Sequence, residues 1–282
     1  IEEAFLRGGV PYRIVKGLRF YERKEIKDII SYLYTIINPD DNINLLRIIN
    51  TPPRRIGKQT INKLTSYASA NNISLYQALN KCRKIKGINK GTLEKIHGFI
   101  SMIEELRECV KSNTATEMIE MVIDKSGYKT FLLESGDHKA EERYENIREL
   151  MSISILSGDQ MLEPFLQELS LMSDMDISDS SEDAVALMTL HAAKGLEFDY
   201  VFIAGMEDNI LPHANSMYKW ENYEEERRLC YVGITRAKKG LFMLYTKSRT
   251  LYGNLHVNPP SPYIRDIPEE LILFIKNPFN VL

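Results

Sequence analysis

Cysteine is scarce in this 282-residue chain, and long apolar runs are absent. The three cysteines, Cys82, Cys109 and Cys230, are an odd and scattered set. They argue against a disulfide framework and against a metal site built on cysteine spacing, and they favour a reducing compartment. No apolar run approaches the roughly 20 residues that a membrane-spanning helix needs. We therefore expect a cytoplasmic protein without a metal site or a membrane partner.

A phosphate-binding loop is also missing. The chain contains no G-x-x-x-x-G-K-[ST] string, in which backbone N–H groups and a lysine cradle the phosphates of a nucleotide. Gly57-Lys58 is followed by Gln59, so this pair does not complete the motif. The apolar run 201–204, with Glu207-Asp208 behind it, imitates the acidic strand of a nucleotide-binding domain. Because the lysine is absent, we interpret that run as a chance likeness.

The net charge of −3 hides an uneven distribution. Residues 1–96 carry 18 Lys and Arg against 8 Asp and Glu, a net charge of +10. The remaining residues carry 18 basic against 31 acidic side chains, a net charge of −13. A basic first third is the pattern expected of a surface that faces phosphates. The alternative interpretation is a solvated helical surface with no charged partner.

Hydrophobic periodicity indicates four stretches. After a helix end at 1–7 and a strand at 12–15, apolar residues recur at helical spacing through residues 18–172. That stretch includes a capping box formed by Thr114 and Glu117. Residues 173–183 contain four Asp, one Glu and four Ser, which is typical of a solvated linker. The rest of the chain predicts α/β structure, with strands at 184–190, 200–204 and 241–245 and a helix at about 223–234.

The connection between the first two of these strands is unusually short. Only about nine residues separate them, whereas a parallel crossover usually needs a dozen or more. Either the crossover is one very short helix or the two strands are not adjacent. The polar loop of this connection follows the carboxyl end of the first strand, which is the edge where open α/β sheets bind ligands.

Two strings of sequence carry the most specific signal. Residues 187–198 read LMTLHAAKGLEF, and residues 224–237 read EEERRLCYVGITRA. In content and order they resemble the last two motifs of the UvrD/Rep/PcrA-type superfamily-one DNA helicases. The resemblance extends over essentially the whole chain. It implies the C-terminal part of such a helicase, beginning inside the second RecA-like motor domain.

The resemblance implies roles for individual residues around a nucleotide. Arg236 corresponds to the arginine finger, which stabilises charge on the γ-phosphate of ATP during phosphoryl transfer. Glu197 corresponds to the carboxylate that hydrogen-bonds the ribose, and Gly195 lets the loop backbone approach a ligand closely. ATP and Mg²⁺ are expected to be held mainly by the missing N-terminal motor domain. An exposed Arg236 paired with Glu224–Glu226 is the alternative. Arg227 and Arg228 are expected near the same interface, and a helix pair such as Glu224 with Arg228 is an equally plausible role for them.

The resemblance also implies two sets of DNA contacts. Backbone donors, hydroxyl groups and lysines are common partners of phosphates, and the first string is expected to contact single-stranded DNA. The string 51–60 resembles the family's hairpin-like Gly-Ile-Gly element, which is expected to contact duplex phosphates in the accessory subdomain. Arg55 stands where the first glycine is usual, which adds charge but restricts the backbone. The expected contacts are Thr189, His191 and Lys194 for the single strand, and Arg54, Arg55, Gly57 and Lys58 for the duplex.

The predicted fold is therefore α/β: a partial RecA-like motor domain with a large, mostly α-helical inserted subdomain. Residues 1–16 and 183–282 are assigned to the motor domain, and residues 17–182, with the acidic linker, to the insertion. The parent is expected to be a 3′-to-5′ DNA helicase of bacterial DNA repair or replication, cytoplasmic and nucleoid-associated. Its expected partners are single-stranded DNA, single/double-strand junctions, its own N-terminal motor domain, and repair or transcription proteins. An AddA/RecB-like helicase-nuclease and a non-enzymatic DNA- or protein-docking module are the alternatives.

Overall fold

The chain folds into two compact units. The structure, a computed structural model, describes residues 1–15, 19–137, 139–177, 183–251 and 254–275. Unit 1 consists of Ile1–Arg13 and Leu18–Val185, and unit 2 consists of Ile14–Gly17 and Ala186–Leu282. Among the described residues, no helix is both long enough and apolar enough to cross a membrane.

Unit 1 is helical throughout its long middle part, as the periodicity predicted. The apolar residues of its second helix, such as Ile26, Ile29 and Leu33, are fully buried, because three- and four-residue spacing places them on one face. The described helices are α1 (Glu2–Arg7), α2 (Lys24–Ile37), α3 (Asn42–Ile48), α4 (Lys58–Ala70), α5 (Leu75–Asn80), α6 (Lys90–Cys109), α7 (Ala115–Ser126), α8 (Tyr128–Leu133), α9 (Ala140–Leu156) and α10 (Leu162–Ile177).

Side chains cap several of these helices. The predicted capping box is confirmed: Thr114 accepts from the backbone of Glu117, and the Glu117 side chain accepts from the backbone of Thr114. Gly127 then ends α7 in the left-handed conformation, with φ of 73°. Asp41 caps α3 by accepting from two backbone N–H groups. These caps satisfy donors that would otherwise be left unpaired at the helix ends.

A buried carboxylate ties α2 to its neighbours. Asp28 is only 2% exposed. It accepts hydrogen bonds from Arg47 Nε at 2.7 Å and from the Tyr128 hydroxyl at 2.7 Å. An unpaired charge at this depth would cost several kcal/mol, so this pairing is what allows Asp28 to lie inside the helical unit.

The N-terminal residues differ from the predicted division. Residues 1–16 were assigned to the motor domain, whereas Ile1–Arg13 belongs to the helical unit. The physical reason is a set of polar ties to that unit. Glu3 accepts from the Tyr21 hydroxyl at 2.9 Å, and Arg7 forms an ion pair with Glu168 at 2.9 Å.

The acidic linker begins later than the sequence indicated. We predicted it from residue 173, but α10 continues to Ile177. Residues 178–182 of the predicted linker lie outside the described part of the chain.

Unit 2 contains the α/β structure. The short strand β2 (Val185–Leu187) is hydrogen-bonded to β1 (Tyr12–Ile14). Strand β3 (Phe198–Ala204) is parallel to β4 (Ala237–Leu244), and α11 (Trp220–Ile234) connects them. Strands β5 (Arg249–Leu251) and β6 (Asn254–His256) form an antiparallel pair, and α12 (Pro262–Arg265) follows.

The short connection from β2 to β3 is thereby explained. In the described residues β2 pairs with β1 and β3 pairs with β4, so β2 and β3 are not neighbours. Of the two alternatives that the sequence left open, the non-adjacent one is correct. The mixed α/β fold with a large helical part is confirmed.

The core of unit 2 lies between α11 and one face of the β3–β4 pair. Ile203 is 4% exposed and packs with Met206, Leu211 and Cys230. A Cβ atom at Gly233 would lie 2.5 Å from Leu190 Cδ2 and 3.1 Å from Ile203 Cδ1. The last turn of α11 can therefore approach β3 and residue 190 only because position 233 carries no side chain.

We expect Gly233→Ala to destabilise unit 2 by about 1–3 kcal/mol, the usual cost of overpacking. Trp220, the single tryptophan of the chain, lies in α11, so its fluorescence during urea denaturation reports on unit 2. The control is Gly98→Ala in α6, where a Cβ meets nothing within 4 Å. It should leave the Trp220 transition unchanged and stabilise unit 1 by about 0.5–1 kcal/mol, as followed by helical circular dichroism. An unchanged Trp220 transition in Gly233→Ala would contradict the packing argument.

Candidate functional site

The loop from residue 188 to residue 197 is a series of tight turns. The Thr189 Oγ1 atom accepts from the Ala192 N–H at 3.2 Å, and the Thr189 carbonyl accepts from the Ala193 N–H at 3.1 Å. Ala193 is 6% exposed and anchors the loop. Gly195 has φ of 83°, a conformation that other residues adopt only with strain.

Most of the predicted contact residues of this loop face solvent. Thr189, His191, Lys194 and Gly195 are all exposed. The buried Ala193 lies between His191 and Lys194, so one anchored residue presents two polar side chains on the outside of the turn. A hydroxyl group, an imidazole and an ammonium group of this loop are thus accessible to a ligand while Ala193 stays buried.

The Arg236 guanidinium is held by backbone and hydroxyl oxygens. Its Nε donates to the Val232 carbonyl at 2.9 Å, and one terminal nitrogen donates to the Leu196 carbonyl at 3.0 Å. The other terminal nitrogen donates to Thr235 Oγ1 at 2.9 Å. Three different anchors fix the plane of the side chain.

These bonds leave part of the guanidinium available. Arginine has five N–H donors, and three are used by partners in the described part of the chain. The remaining two are one on each terminal nitrogen. Arg236 is half-buried, so these donors belong to a cation with restricted freedom, which suits the binding of an anionic oxygen.

The predicted ribose contact lies beside this arginine in the chain fold. Glu197 follows Leu196, whose carbonyl Arg236 holds, and its carboxylate is 3.2 Å from Lys238 Nζ. Both side chains of this pair are more than half exposed. An exposed pair contributes only about 0–1 kcal/mol, so a ligand hydroxyl can compete for Glu197 at little cost.

Both candidate residues lie at the amino ends of strands. Glu197 directly precedes β3, Arg236 directly precedes β4, and the Phe198 N–H donates to the Arg236 carbonyl at 2.9 Å. From the sequence we expected the polar loop to bind a ligand at the carboxyl end of the strand before it, which is β2. In the described sheets β2 is not a neighbour of β3, so that edge is not shared with Glu197 and Arg236.

The glutamates of α11 have other partners than the sequence suggested. Glu224 is 3.7 Å from Arg227, and Glu225 is 2.9 Å from Arg228, so the pairs are three residues apart rather than four. The Glu226 carboxylate accepts from the His213 N–H at 3.1 Å. The alternative in which Arg236 pairs with these glutamates is not what the structure contains.

Two further groups in unit 2 have shifted acidities. Burial raises the pKa of the Cys230 thiol to about 11. Hydrogen bonds from Arg249 lower the pKa of Glu207, whose side chain is 1% exposed and 2.7 Å from that guanidinium. Glu207, from the run that imitates an acidic strand, is thus engaged internally. Among the described residues, no group of three or more His, Cys, Asp or Glu is placed to hold a metal ion.

In unit 1, the turn before α4 separates two adjacent arginines. Arg54 points inward: it donates to the carbonyl of Ile48 at 2.8 Å and to the hydroxyl of Tyr32. Its guanidinium lies 4.8 Å from the centre of the Phe99 ring. Burial raises the pKa of Tyr32, and the charge of Arg54 opposes that shift. Arg54 therefore supports the turn from within.

Arg55, Gly57 and Lys58 lie on the outside of the same turn and are exposed. Arg55 has φ of 57°, the left-handed conformation that glycine adopts more easily. Between the exposed residues, Ile56 is 1% exposed and its N–H donates to Asn50 at 3.1 Å. Gly57 caps α4 without a side chain, so the first N–H groups of this helix are open to an anion.

Some of these contacts had no signal in the sequence. The carbonyls of Leu196 and Val232 hold Arg236, but any residue type carries a carbonyl. The opposite directions of Arg54 and Arg55 follow from a left-handed residue that is not glycine. Only the departure from the Gly-Ile-Gly pattern at Arg55 hinted at an unusual backbone.

Comparison with known proteins identifies the family. Residues 1–248 match the family described as the UvrD-like helicase C-terminal domain. This match covers most of the chain. The chain belongs to the UvrD-like helicase C-terminal domain family. The resemblance of its two strings to the last motifs of these helicases is thereby confirmed.

Two relatives of this UvrD-like chain carry the same name. The ATP-dependent DNA helicase PcrA of Bacillus subtilis is 42% identical over 282 residues, covering 96% of this chain and 38% of the relative. The protein of the same name from Staphylococcus aureus is 40% identical over 280 residues, again covering 96% of this chain and 38% of the relative. The UvrD-like chain thus spans about two fifths of the length of these relatives.

We expect Arg54→Met to destabilise unit 1 by about 2–3 kcal/mol, because hydrogen bonds to a charged group are lost and their carbonyl partners stay enclosed. The matched variant is Arg55→Gly, which removes the neighbouring charge and relieves a left-handed residue. It should stabilise unit 1 by up to about 1 kcal/mol. Urea denaturation followed by helical circular dichroism measures both. Equal effects of the two substitutions would contradict the inward assignment of Arg54.

Proposed function

We propose that this chain is the C-terminal part of an ATP-dependent DNA helicase that moves 3′ to 5′ on single-stranded DNA. The observation that carries the proposal is the hydrogen bond of Arg236 to the Leu196 carbonyl, 3.0 Å long. It joins the two most specific strings of the sequence at one edge of the β3–β4 pair. The names of the relatives support the same activity.

Arg236 serves as the arginine finger in this proposal. ATP hydrolysis builds up negative charge on the transferred phosphoryl group, and a fixed guanidinium stabilises it. Two unused donors and three anchors give Arg236 the restricted orientation that this task requires.

Glu197 is proposed to accept hydrogen bonds from the ribose hydroxyls of that nucleotide. Its exposed carboxylate is paired only with Lys238 among the described residues, which fits a weakly held acceptor. The phosphates and Mg²⁺ are assigned to a first motor domain, because this sequence has no phosphate-binding loop. Gly195 keeps the backbone next to Glu197 free of a side chain.

Thr189, His191 and Lys194 are proposed to contact single-stranded DNA. All three are exposed on the loop that ends at Glu197. A phosphate contact at Lys194 and a nucleotide contact at Glu197 would be separated by only two residues. The same loop would then carry both ligands, so a change at the nucleotide reaches the DNA through a short stretch of backbone.

The turn before α4 is proposed to contact duplex phosphates at a single/double-strand junction. Arg55, the backbone around Gly57, and Lys58 are the contact groups. Arg54, which was expected to contact the duplex as well, is proposed to act differently, since its guanidinium donates to backbone carbonyls. We assign it as the positioning residue that holds the turn in its shape.

The proposal extends to the cellular setting. A helicase of this kind acts in DNA repair or replication, in the cytoplasm and near the nucleoid. Its first partner is its own N-terminal motor domain, and repair or transcription proteins are further ones. The uneven charge of the chain supports a DNA-facing role for the first third, because a basic surface attracts phosphates of any sequence.

The isolated 282-residue chain is expected to show no DNA-stimulated ATP hydrolysis, because the sequence has no phosphate-binding loop. A coupled ATPase assay with saturating single-stranded DNA checks this. The activity should be absent from the protein peak throughout a final gel-filtration column. Turnover that follows the protein through that column would contradict the assignment of the phosphates to another domain.

In the full-length parent, Arg236→Ala should reduce ATP turnover by about 10³–10⁵, the contribution of arginine fingers in related phosphoryl transfer. DNA affinity should stay nearly unchanged, since the effect falls on the transition state. Arg236→Lys should restore little, because an ammonium group does not reproduce the planar fork. Steady-state kcat and DNA-binding titrations measure the two effects.

Arg265→Ala, at an exposed arginine of α12, is the control and should keep turnover. Because Arg236 also holds three oxygens of its own chain, the thermal transition of each variant is measured alongside. A purely structural role predicts a lowered transition with turnover within a few-fold of wild type in the folded fraction. That result would remove Arg236 from the active site.

A further inference from the structure

Acidic residues are absent from a long stretch of unit 1. Residues 42–93 contain no Asp or Glu and ten Lys or Arg. One of these ten, Arg47, is neutralised by the buried Asp28, and Arg54 is engaged by carbonyls. The other eight are Arg55, Lys58, Lys63, Lys81, Arg83, Lys84, Lys86 and Lys90.

Five of these cations lie within ten residues of chain. We define the 81–90 patch as Lys81, Arg83, Lys84, Lys86 and Lys90, all of which are exposed. In the described part of the protein no acidic side chain lies within ion-pair distance of them. Cys82 is 4% exposed and fixes the short 3₁₀ helix Cys82–Lys84 to the core. The segment is thus held in place while its charges point outward.

A hydrogen bond attaches this patch to helix α4. Lys63 Nζ donates to the Gly87 carbonyl at 2.7 Å. Gly87 has φ of 79°, and a Cβ there would lie 2.6 Å from Lys63 Nζ. Lys63 follows Lys58 by five residues, which is about 7.5 Å along a helix axis. The patch is therefore attached to the same helix, α4, that begins at the turn at Lys58.

We propose that the 81–90 patch is a second phosphate-binding surface, which contacts the backbone of duplex DNA beside the turn at residues 54–58. The inference rests on the proposed duplex contact of that turn and extends it along α4. The patch binds through charge alone, so its contribution is independent of DNA sequence. It carries no new base contact.

The composition of the patch favours DNA over an acidic protein. Protein interfaces have a core of apolar or aromatic side chains surrounded by a polar rim. The apolar residues of this segment, Cys82, Ile85 and Ile88, are buried or half-buried rather than exposed. A cluster of positive side chains without an exposed apolar centre is typical of surfaces that bind a phosphate backbone independently of sequence.

The test compares the 282-residue chain with two triple variants of equal charge. Lys84→Gln/Lys86→Gln/Lys90→Gln removes three cations from the patch, and Lys27→Gln/Lys111→Gln/Lys139→Gln removes three exposed cations elsewhere in unit 1. Fluorescence anisotropy measures the affinity for a labelled duplex of about 25 base pairs between 50 and 200 mM salt. Circular dichroism verifies that both variants are folded. The duplex is several-fold longer than the rise of α4 between Lys58 and Lys63.

The patch variant should lower the slope of log K against log salt by about 2–3, since each lost phosphate contact contributes about 0.9. The control variant should change the slope by less than about 1. Equal slopes for the two variants would overturn the proposal. The proposal would also be overturned if the patch variant lost binding to polyglutamate but kept its full affinity for the duplex. That result would identify an acidic polypeptide, rather than DNA, as the ligand of the patch.

A Lys58→Gln variant separates this inference from the proposed function. If Lys58→Gln also lowers the slope and the two changes add in combination, both surfaces contact one duplex, as proposed. If only the patch variant lowers the slope, the patch is supported and the duplex contact of the turn fails. If only Lys58→Gln does so, the turn is supported and the patch is overturned.

Discussion

The last turn of α11 lies against β3 because residue 233 has no side chain. Leu190 and Ile203 fill the space that a Cβ at residue 233 would take. The loop, the helix and the strand therefore pack directly against one another at this residue. The arrangement of Glu197 and Arg236 depends on this contact. Arg236 follows Gly233 by less than one helical turn, and Leu196 follows Leu190 within the same short loop. A wider spacing at residue 233 would separate the guanidinium from the Leu196 carbonyl.

Arg236 also benefits from its place at a helix end. The carbonyls of the last turn of α11 carry partial negative charge, which favours a cation there. The side chain accordingly donates to Val232 and to the neighbouring Thr235. The entropy of ordering a long side chain is thus lost during folding rather than during ligand binding. This preorganisation is the property that a charge-stabilising group needs.

Much of the fold was accessible from the sequence, because its elements rest on local rules. The helical block followed from apolar spacing, the cap at Thr114 from a four-residue pattern, and the family from two strings. The rest depended on contacts between distant residues. The pairing of β2 with β1 rather than β3 involves strands about 170 residues apart in sequence. The inward direction of Arg54 depends on Tyr32 and Phe99, which no local pattern connects to it.

The neighbouring arginines at 54 and 55 have opposite consequences for how this surface can change over time. At position 54 a substitution is penalised within the fold, before any ligand is involved, because the guanidinium serves as a structural part of the helical unit. At position 55 the backbone already favours glycine, so loss of the charge is structurally free. Substitutions at residue 55 can therefore change the positive charge of this turn, while Arg54 maintains the shape of the turn. In this dipeptide, residue 54 contributes to folding and residue 55 to the strength of binding.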